Sequence, residues 1–352
     1  MKVAILFDGA SAYAKEPDQL ILGTVGVIER LLAAEGNDVG HVPVFHDGKW
    51  IEKLRRGKFD LAFNMCEGID GIAALESAVV SVLELFKIPF TGASSYTTAV
   101  CLRKHVVNGL LERAGLPVPR FACIRRGESL QSVGYPAIIK PAAEDASLGV
   151  EQRSVVRTTR ALADRVEAML ELWEEVLVQR FVDGREVNVG ILGNTVLPIA
   201  EIDFSHMPRG RWHIVTYQSK WATGSIDDIG AEPRCPARLP AKVAQEVRRV
   251  ALRAWQLTGG FGYGRVDMRI DANGQPWILE VNANPDIAPD AGLARMARAA
   301  GMEYGALIRE ICELGLARAR QEPPPDEWAL AQTLSGVELP PQELDLFAAG
   351  GE

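Results

Sequence analysis

Two carboxylates and a carboxamide share one face of a hairpin that the sequence predicts near its C-terminal end, within the stretch GYGRVDMRIDANGQPWILEVNANP. The Asn-Gly pair at 273–274 favours a two-residue type I′ turn, which places Asp267 opposite Glu280 and Arg265 opposite Asn282. A four-residue loop would shift these pairs and keep the faces. The other face is predicted to be core, with Val266, Met268, Ile270, Trp277, Leu279 and Val281.

Like charges directly opposite each other destabilise a sheet, so the pair of Asp267 and Glu280 needs compensation. A hard divalent cation provides it, because Mg²⁺, with Mn²⁺ as the alternative, binds carboxylate and amide oxygens together with nucleotide phosphates. Arg265 on the same face could contact a phosphate or a developing oxyanion. The alternative is a solvated face on which the carboxylates pair with Arg265 and Arg269.

Composition restricts the class of protein. The chain has 352 residues, of which 47% are hydrophobic and 24% charged, enough for a substantial core and for two or three domains. A net charge of −8 and a pI near 5.4 argue against a nucleic-acid scaffold and suit a cytoplasmic enzyme. The first apolar run is too short for a signal peptide, no stretch could span a membrane, and the five cysteines lack zinc-site or disulfide-framework spacing.

The N-terminal region alternates strand and helix patterns, as a doubly wound sheet does. Ligands of such sheets gather beyond the carboxyl ends of strands, so Asn64, Glu67 and Gly68 are candidate site residues. The alternative for Glu67 is a solvated loop or cap position. The predicted elements are a strand at 3–7, a helix at 21–36, a strand at 41–45, a helix at 50–54 and a strand at 59–64.

A second module begins after a helix predicted from Thr97 to Gly115, which carries Lys104 and which the following prolines end. The first strand of this module, YPAIIKP, presents Lys140 at its end and leads into the small-residue loop AAEDASLGV, which contains Ser147. Backbone amides of such a loop could approach phosphate, and an ordinary surface turn is the alternative.

The rest of the chain supplies further strands, two more helices and a long irregular segment. Loops as long as the segment 205–236, which contains Lys220 and Trp221, are usually functional or disordered. A second hairpin is predicted at Gly193-Asn194. The predicted helices after 150 are at 159–172, 240–258 and 303–320, and the proline-containing tail after Glu322 is treated as an appendage.

Residues 1–320 resemble the ATP-grasp superfamily, specifically its D-alanine:D-alanine ligase-like branch. The resemblance rests on Lys140 at a strand end, SLG six residues after K-P, QRFVDGRE, the loop with Lys220, and GRVD…EVNANP. It implies an α/β protein with an N-terminal doubly wound pre-ATP-grasp domain followed by a two-subdomain ATP-grasp fold. The expected units are 1–100, 101–182, the metal-hairpin unit 183–320, and the tail 321–352.

The resemblance also implies roles for individual residues. Lys104, Lys140 and the Ser147 loop would bind nucleotide phosphates, and Lys220 would reach the terminal phosphate. Arg265 would stabilise an acyl phosphate and a tetrahedral intermediate. The adenine hinge would comprise Gln179, where Glu is more usual, with Phe181 and Val182; Glu186 would bind the ribose hydroxyls; and Asp267, Glu280 and Asn282 would be the Mg²⁺ ligands.

The amino-acid half departs from the branch. Members that join two D-alanines resemble one another in a first-loop Glu, a Ser in the phosphate loop and a Tyr after the mobile-loop Lys, whereas these positions here read Tyr13, Ala146 and Trp221. Because Ala146 has no polar side-chain atom, the hydrogen-bonded triad of side chains cannot form. Pro285-Asp286 and Ala291 replace the Pro-Gly pair and the Ser that are usual in the branch. Asp286 and Asp290 would attract a cationic amine, unless they cap a helix instead.

These observations predict an ATP- and Mg²⁺-dependent carboxylate-amine ligase that forms an amide through an acyl phosphate, with a substrate pair other than two D-alanines. The alternatives are a genuine D-alanine:D-alanine ligase, an ATP-grasp enzyme of carbamoyl or carboxy phosphate chemistry, and a catalytically silent nucleotide-binding protein. The expected partners are small amino acids or peptides, with no nucleic acid or membrane, and a homodimer is left open.

Overall fold

The structure is a computed structural model of the chain, and it describes residues 1–12 and 20–320. The candidate residue Tyr13 and the tail 321–352 lie outside the described residues. None of the helices in the described ranges combines the length and the apolar character that crossing a bilayer requires.

The N-terminal region forms a three-stranded parallel sheet with strand order β2-β1-β3, as its alternating pattern predicts. Strand β1 is buried along six of its seven residues because helices and the rest of the protein cover both faces of the sheet. The elements are β1 (Lys2–Asp8), α1 (Leu20–Ala34), β2 (Asp38–Val44), α2 (Lys49–Gly57), β3 (Leu61–Asn64) and α3 (Glu76–Leu85).

The predicted helix from Thr97 to Gly115 is wrong as a single element. Two helices, α4 (Ser95–Leu102) and α5 (Lys104–Arg113), meet at Arg103, whose ψ of 87° is not helical. The backbone N–H of Lys104 donates to Ala142 O at 2.9 Å instead of to a carbonyl of α4. The break therefore turns the first residue of α5 toward the small-residue loop.

The second sheet has four antiparallel strands in the order β4-β7-β5-β6. One of its faces packs on α6 through Ile139, Val176 and Val178, together with Leu162 and Val166 of the helix. Because side chains alternate along a strand, the other face is free to line a cleft. The elements are β4 (Phe121–Arg125), β5 (Ala137–Pro141), β6 (Val155–Val156), α6 (Thr159–Leu170) and β7 (Glu175–Arg180).

The third sheet has six strands, in the order β11-β10-β8-β12-β13 with β9 paired to β8. The predicted turn at Gly193-Asn194 is confirmed, since Leu192 pairs with Thr195. The long segment 205–236 is not irregular throughout, because α7, α8 and β11 lie within it. The elements are β8 (Arg185–Leu192), β9 (Thr195–Val196), β10 (Ala200–Asp203), α7 (Tyr217–Trp221), α8 (Ile226–Ile229), β11 (Glu232–Arg234), α9 (Ala241–Leu257), β12 (Tyr263–Ile270), β13 (Pro276–Asn282), α10 (Gly292–Ala299) and α11 (Tyr304–Arg320).

The hairpin of β12 and β13 has the predicted pairs near the site, but its loop length and its register differ from the prediction. Asp271 N donates to Gln275 O, so the loop has three residues, with Gly274 at a φ of 79°, and the two-residue turn is wrong. A bulge between the pairs of Asp267 and Met268 then shifts the register by one. The two departures cancel, so Asp267 still faces Glu280 and Arg265 still faces Asn282.

The bulge changes which side chains of β13 enter the core. Ile278 is fully buried in the core of the third sheet with Val266 and Met268, whereas Trp277 and Leu279 are only partly buried. The expectation that Trp277 and Leu279 belong to the core is therefore wrong, because the extra residue reverses the alternation.

Candidate active site

Strands β12 and β8 hold Asp267 in an enclosed polar site. Arg265 donates to both carboxylate oxygens of Asp267, from Nε at 2.7 Å and from Nη2 at 2.9 Å, and Asn188 Nδ2 donates to Oδ1 at 2.7 Å. Asp267 and Arg265 therefore form the ion pair that the solvated-face alternative named. Arg265 therefore offsets part of the repulsion between the facing carboxylates, so a bound metal ion is not the only possible source of positive charge.

Glu280 lies opposite Asp267 among several cations. Lys104 Nζ is 3.7 Å from Glu280 Oε2. Burial raises the pKa of Glu280, but the positive charges of Lys104, Lys140, Arg265 and Lys220 together outweigh this and hold the pKa well below its usual range. Glu280 therefore stays ionised at every working pH.

The oxygen donors at this edge suit a magnesium ion. Glu280, Asp267 and Asn282 present carboxylate and amide oxygens on one face of the hairpin, and hard oxygen ligands are those that Mg²⁺ prefers. Asn282 Oδ1 already accepts a hydrogen bond from Asn284 N at 3.0 Å, which orients the amide oxygen. The residues present therefore fit the predicted metal, with Glu280 as the carboxylate least engaged by hydrogen bonds.

Lys104, at the first position of α5, crosses from the break after α4 into the same site. Its side chain is 5% exposed, its Nζ lies 3.3 Å from Asp145 Oδ1, and it donates to Glu144 O. Burial lowers the pKa of Lys104, but Asp145 and Glu280 outweigh it, so the pKa is raised. A permanent positive charge is thereby held between the small-residue loop and the hairpin.

Lys140 ends β5 on the face of the second sheet that looks into the cleft. Burial is the main influence on it and, with the charge of Lys104, lowers its pKa to about 8, although Glu280, Glu186 and Asp267 act in the opposite direction. An anionic ligand beside Lys140 would stabilise its ammonium form. The structure thus brings both sequence-predicted lysines to one place.

The hinge between the second and third sheets contains the predicted adenine-binding residues. Gln179 is 1% exposed, and its Nε2 has no hydrogen-bond partner within the described ranges. Phe181 is buried beside Ile138, Val150 and Ile214. A buried amide that lacks a partner is costly, so a ligand with a complementary polar edge is expected here.

Glu186 follows the hinge on β8 and pairs with Arg269, for which the sequence predicted a different partner. Arg269 donates to Glu186 Oε2 from Nη2 at 2.8 Å and from Nε at 3.2 Å. The expectation that Arg269 balances Asp267 or Glu280 is wrong, because β12 pairs antiparallel with β8 and sets Arg269 directly opposite Glu186. This pairing could have been found only from the β8–β12 register.

The segment that carries Lys220 folds over the small-residue loop. Thr216 caps α7 by accepting from Ser219 N at 3.2 Å, and Tyr217 N donates to Val150 O at 3.0 Å. Lys220 is exposed at the end of this helix, but its charge acts on Glu280. Its placement therefore agrees with a role at the mouth of the cleft.

Trp221 and Ala146 meet although they cannot form the triad of side chains. Trp221 Nε1 donates to the backbone carbonyl of Ala146 at 3.3 Å. Ala146 and Ser147 have φ values of 54° and 61°, and Gly149 lies where a Cβ would approach Trp173 to 2.8 Å. The tight loop thus turns a carbonyl oxygen toward the segment 205–236, and the backbone supplies the acceptor that the Ala146 side chain lacks.

The remaining candidates lie in the loops after β3 and β13, on one side of the site. Glu67 follows β3, and its side chain keeps access to solvent. The surrounding protein partly removes water from its carboxyl group, which, together with the charges of Asp286 and Asp145, raises its pKa to about 7. The positive charges of Lys220 and Arg265 act in the opposite direction. Asp286 is exposed, and its charge acts on both Glu67 and Arg265. Carboxylates therefore dominate this side.

Neither aspartate caps a helix. The N-cap position of α10 is Ala291, which has no capping side chain, and Asp286 Oδ1 accepts instead from Ala288 N at 2.8 Å in the preceding turn. Asp290 is exposed, and its charge acts on Tyr304 rather than on Glu67. Of the two aspartates, Asp286 alone is thus an electrostatic neighbour of the catalytic candidates.

The sequence of this chain is similar to those of D-alanine–D-alanine ligases. Residues 110–313 match the family model described as the D-ala D-ala ligase C-terminus. The D-alanine–D-alanine ligase of Bordetella avium is 32% identical over 327 residues, which cover 90% of this chain and 94% of that protein.

Two solved structures share the architecture. The D-alanine–D-alanine ligase from Bacillus anthracis complexed with ATP superposes with a TM-score of 0.75 at 22% identity, covering 92% of this chain and 100% of that one. The VanG D-Ala:D-Ser ligase from Enterococcus faecalis has a TM-score of 0.70 at 20% identity, covering 89% and 99%. They confirm the α/β fold class, with an N-terminal domain followed by ATP-grasp subdomains. The chain therefore belongs to the D-alanine–D-alanine ligase family of ATP-dependent ligases.

Proposed function

We propose that this protein joins a carboxylate to an amine through an acyl phosphate, with an acid and amine pair other than two D-alanines. The observation that carries the proposal is the cluster around Glu280, whose Oε2 lies 3.7 Å from Lys104 Nζ and whose carboxylate is also influenced by the charges of Lys140, Arg265 and Lys220. Four positive side chains around one carboxylate form a site prepared for further negative charge, such as that of a triphosphate.

The nucleotide would lie between the second and third sheets. Gln179 and the hinge residues Phe181 and Val182 would face the base, and Glu186 would face the ribose. Lys104, Lys140 and the backbone around Ser147 would bind the phosphates. The unpartnered amide of Gln179 and the depressed pKa of Lys140 support this assignment, because each group gains a partner when the nucleotide binds.

The proposed first step is attack of the substrate carboxylate oxygen on the γ-phosphorus, with ADP as the leaving group. Lys220 and Lys104 would bind the oxygens of the transferring phosphoryl group. When bound by Asp267, Glu280 and Asn282, Mg²⁺, or Mn²⁺ in its place, supplies charge neutralisation between the phosphates. Lys220 would reach this point from α7, where the hydrogen bond from Trp221 to Ala146 O holds the segment against the loop.

The second step is attack of the amine nitrogen on the acyl carbon, which forms the amide bond and releases phosphate. Arg265 would stabilise the oxyanion, because its guanidinium is held in place by Asp267. Glu67 and Asp286 would attract the amine as an ammonium ion, and Glu67 would accept the proton that the nitrogen must lose before it attacks. This side of the cleft suits a cationic acceptor better than a second carboxylate.

The test separates the two steps. Hydroxylamine traps acyl phosphates as hydroxamates and is largely uncharged near neutral pH, so it does not depend on an ammonium site. We expect ATP, Mg²⁺ and hydroxylamine to give ADP and hydroxamate in equal amounts with at least one acid from a panel of D- and L-amino acids and dipeptides. Absence of hydroxamate with every acid, although ATP binds, would favour a catalytically silent nucleotide-binding protein.

A further inference from the structure

Arg269 makes polar contacts with three separate parts of the nucleotide cleft. It is 2% exposed, although it is one of the most polar side chains in the protein. Its Nη1 donates to Val182 O in the hinge at 3.0 Å, and its Nε and Nη2 donate to Glu186. Its Nη2 also donates to His213 O, within the segment 205–236 that carries Lys220. Buried guanidinium groups are stable only when they are paired in this way.

Aromatic rings fix the plane of the guanidinium. Its central carbon lies 4.7 Å from the ring centroid of Phe181 and 6.0 Å from that of Phe204. Phe204 in turn stacks on His213 at 5.5 Å, with only 6° between the planes. Rotation of Arg269 would therefore disturb both the hinge and the first part of the segment 205–236.

Glu186 is held by one of its two oxygens. Both hydrogen bonds from Arg269 end on Oε2, and no hydrogen bond reaches Oε1 from the part of the chain that the structure describes. The charge of Glu186 acts on Lys140 across the cleft, so the carboxylate stands on the nucleotide side. One oxygen is thus fixed by Arg269 while the other remains for a ligand.

We infer that Arg269 is a positioning residue, which orients Glu186 for the ribose hydroxyls and connects the nucleotide hinge to the segment that carries Lys220. This inference rests on the proposed binding of a nucleotide in the cleft. Arg269 does not touch the reacting atoms in this arrangement. Its role is to keep Glu186 Oε1, Val182 and His213 in fixed relative positions, so that binding of the ribose does not have to order them.

Two nucleotides and three variants test the inference. ATP and 2′,3′-dideoxy-ATP differ only in the ribose hydroxyls, so the ratio of their dissociation constants reports the contact with Glu186. We expect a ratio of about ten or more for the unmodified protein, since dideoxy-ATP loses the hydrogen bond from the ribose hydroxyls to a charged carboxylate. In Arg269→Met the ratio should fall below about three, mainly because ATP binds more weakly.

Arg269→Lys keeps the positive charge but loses the planar fork, so an intermediate ratio is expected and guards against a folding defect in the methionine variant. Arg185→Met is the matched control. Arg185 is the residue just before Glu186, and it pairs with Glu201 through two hydrogen bonds of 2.6 and 2.5 Å. Its loss should leave the ratio unchanged, and thermal unfolding should verify that all three variants are folded.

The outcomes separate the inference from the function on which it rests. An unchanged or larger ratio in folded Arg269→Met would overturn the positioning role, since Glu186 would then hold the ribose without help. Equal binding of the two nucleotides by the unmodified protein would overturn the contact between Glu186 and the ribose, and with it the inference. Failure of the unmodified protein to bind ATP at all would reject the proposed function itself.

Discussion

The two sides of the cleft differ in how their polar groups are held. On the nucleotide side, Asp267, Glu186 and Lys104 lie in or next to regular elements and have protein partners within 3.3 Å. On the acceptor side, Glu67 and Asp286 lie in loops and are exposed to solvent. The protein's own partners therefore hold the polar groups of the nucleotide side, whereas the carboxylates of the acceptor side still need counter-charges.

This difference follows from the chemistry of the two ligands. A nucleotide triphosphate has the same shape and charge in every enzyme that uses it, so strand positions with fixed register suit its contacts. An acceptor amine varies from one enzyme to another, and loops can change without disturbing a sheet. Substitutions on the two sides should therefore affect nucleotide binding and amine transfer separately.

The largest effect is expected from Glu280→Gln on the nucleotide side. The change removes a charged metal ligand and leaves Lys104, Lys140 and Arg265 without their common carboxylate, so ATP-dependent ADP release should fall by about a hundredfold or more. Steady-state ADP release measures it. Glu246→Gln, which removes an exposed carboxylate that pairs with Arg249 on α9, should change the rate less than about twofold. Full activity in folded Glu280→Gln would reject the metal assignment.

A smaller loss is expected for Lys140→Ala. Lys140 would contact phosphate as a point charge, so the dissociation constant for ATP should rise by about tenfold to a hundredfold, while that for adenosine changes less than about threefold. Calorimetric titration with both ligands measures the difference, with the exposed Lys242→Ala as control. Equal losses for ATP and adenosine would mean that Lys140 acts through folding.

Glu67→Gln should separate the acceptor side from the rest of the cleft. Because Glu67 would hold an ammonium ion and accept its proton, amide formation at neutral pH should fall by about tenfold or more, while hydroxamate formation with hydroxylamine changes less than about threefold. Asp70→Asn is a control in the same loop, since Asp70 hydrogen-bonds His46 outside the cleft. An equal fall in both products would place Glu67 in the first step instead.

ATP affinity should depend on pH through Lys140. Its pKa is lowered to about 8 without a ligand, and a bound phosphate raises it again by favouring the ammonium form. Affinity should therefore be greatest below pH 8 and fall as the pH rises through 8, with proton uptake on binding near pH 8. Calorimetry in buffers of different ionisation enthalpy measures the uptake. Proton release at pH 8 would contradict the assignment.

The smallest effect is expected from Trp221→Phe. The variant keeps the aromatic ring and loses the hydrogen bond to Ala146 O, which contributes about 0.5–1.5 kcal/mol. Closure over the loop should weaken, so ADP release with acid but no amine, which reports hydrolysis of the acyl phosphate, should rise about twofold to tenfold. An unchanged rate of hydrolysis would show that this contact does not exclude water.

The sequence predicts most of the candidate residues of the nucleotide side, but few of the contacts that hold them in place. Strand alternation and the Asn-Gly turn predicted that Asp267 faces Glu280, but two errors, the three-residue loop and the bulge, cancelled to give that result. The partner of Glu186 could not be predicted, because Arg269 lies 83 residues away and meets it only through the register of β8 and β12. Local patterns determine strands; pairing between distant strands depends on the whole fold.

The positions at which the chain departs from D-alanine:D-alanine ligases show the same limit more strongly. The sequence predicts that Tyr13, Ala146 and Trp221 cannot form a triad of side chains, whereas the positive φ of Ala146 turns its backbone carbonyl toward the indole of Trp221. Capping and substrate binding remained equal alternatives for Asp286 until the helix start at Gly292 excluded the first. Backbone turns decide such cases, and they are the least predictable part of a loop.

The central claim is that an intact nucleotide side serves an altered acceptor side, and one comparison tests it directly. Product formation from ATP and Mg²⁺ should be measured with D-alanine as the acid and either hydroxylamine or D-alanine as the acceptor, and with a panel of other amino acids and dipeptides as acids and cationic amines as acceptors. We expect saturable ADP release with another acid and amine pair from the panel, and poor synthesis of D-alanyl-D-alanine at millimolar substrate. Efficient, saturable synthesis of D-alanyl-D-alanine would contradict the account.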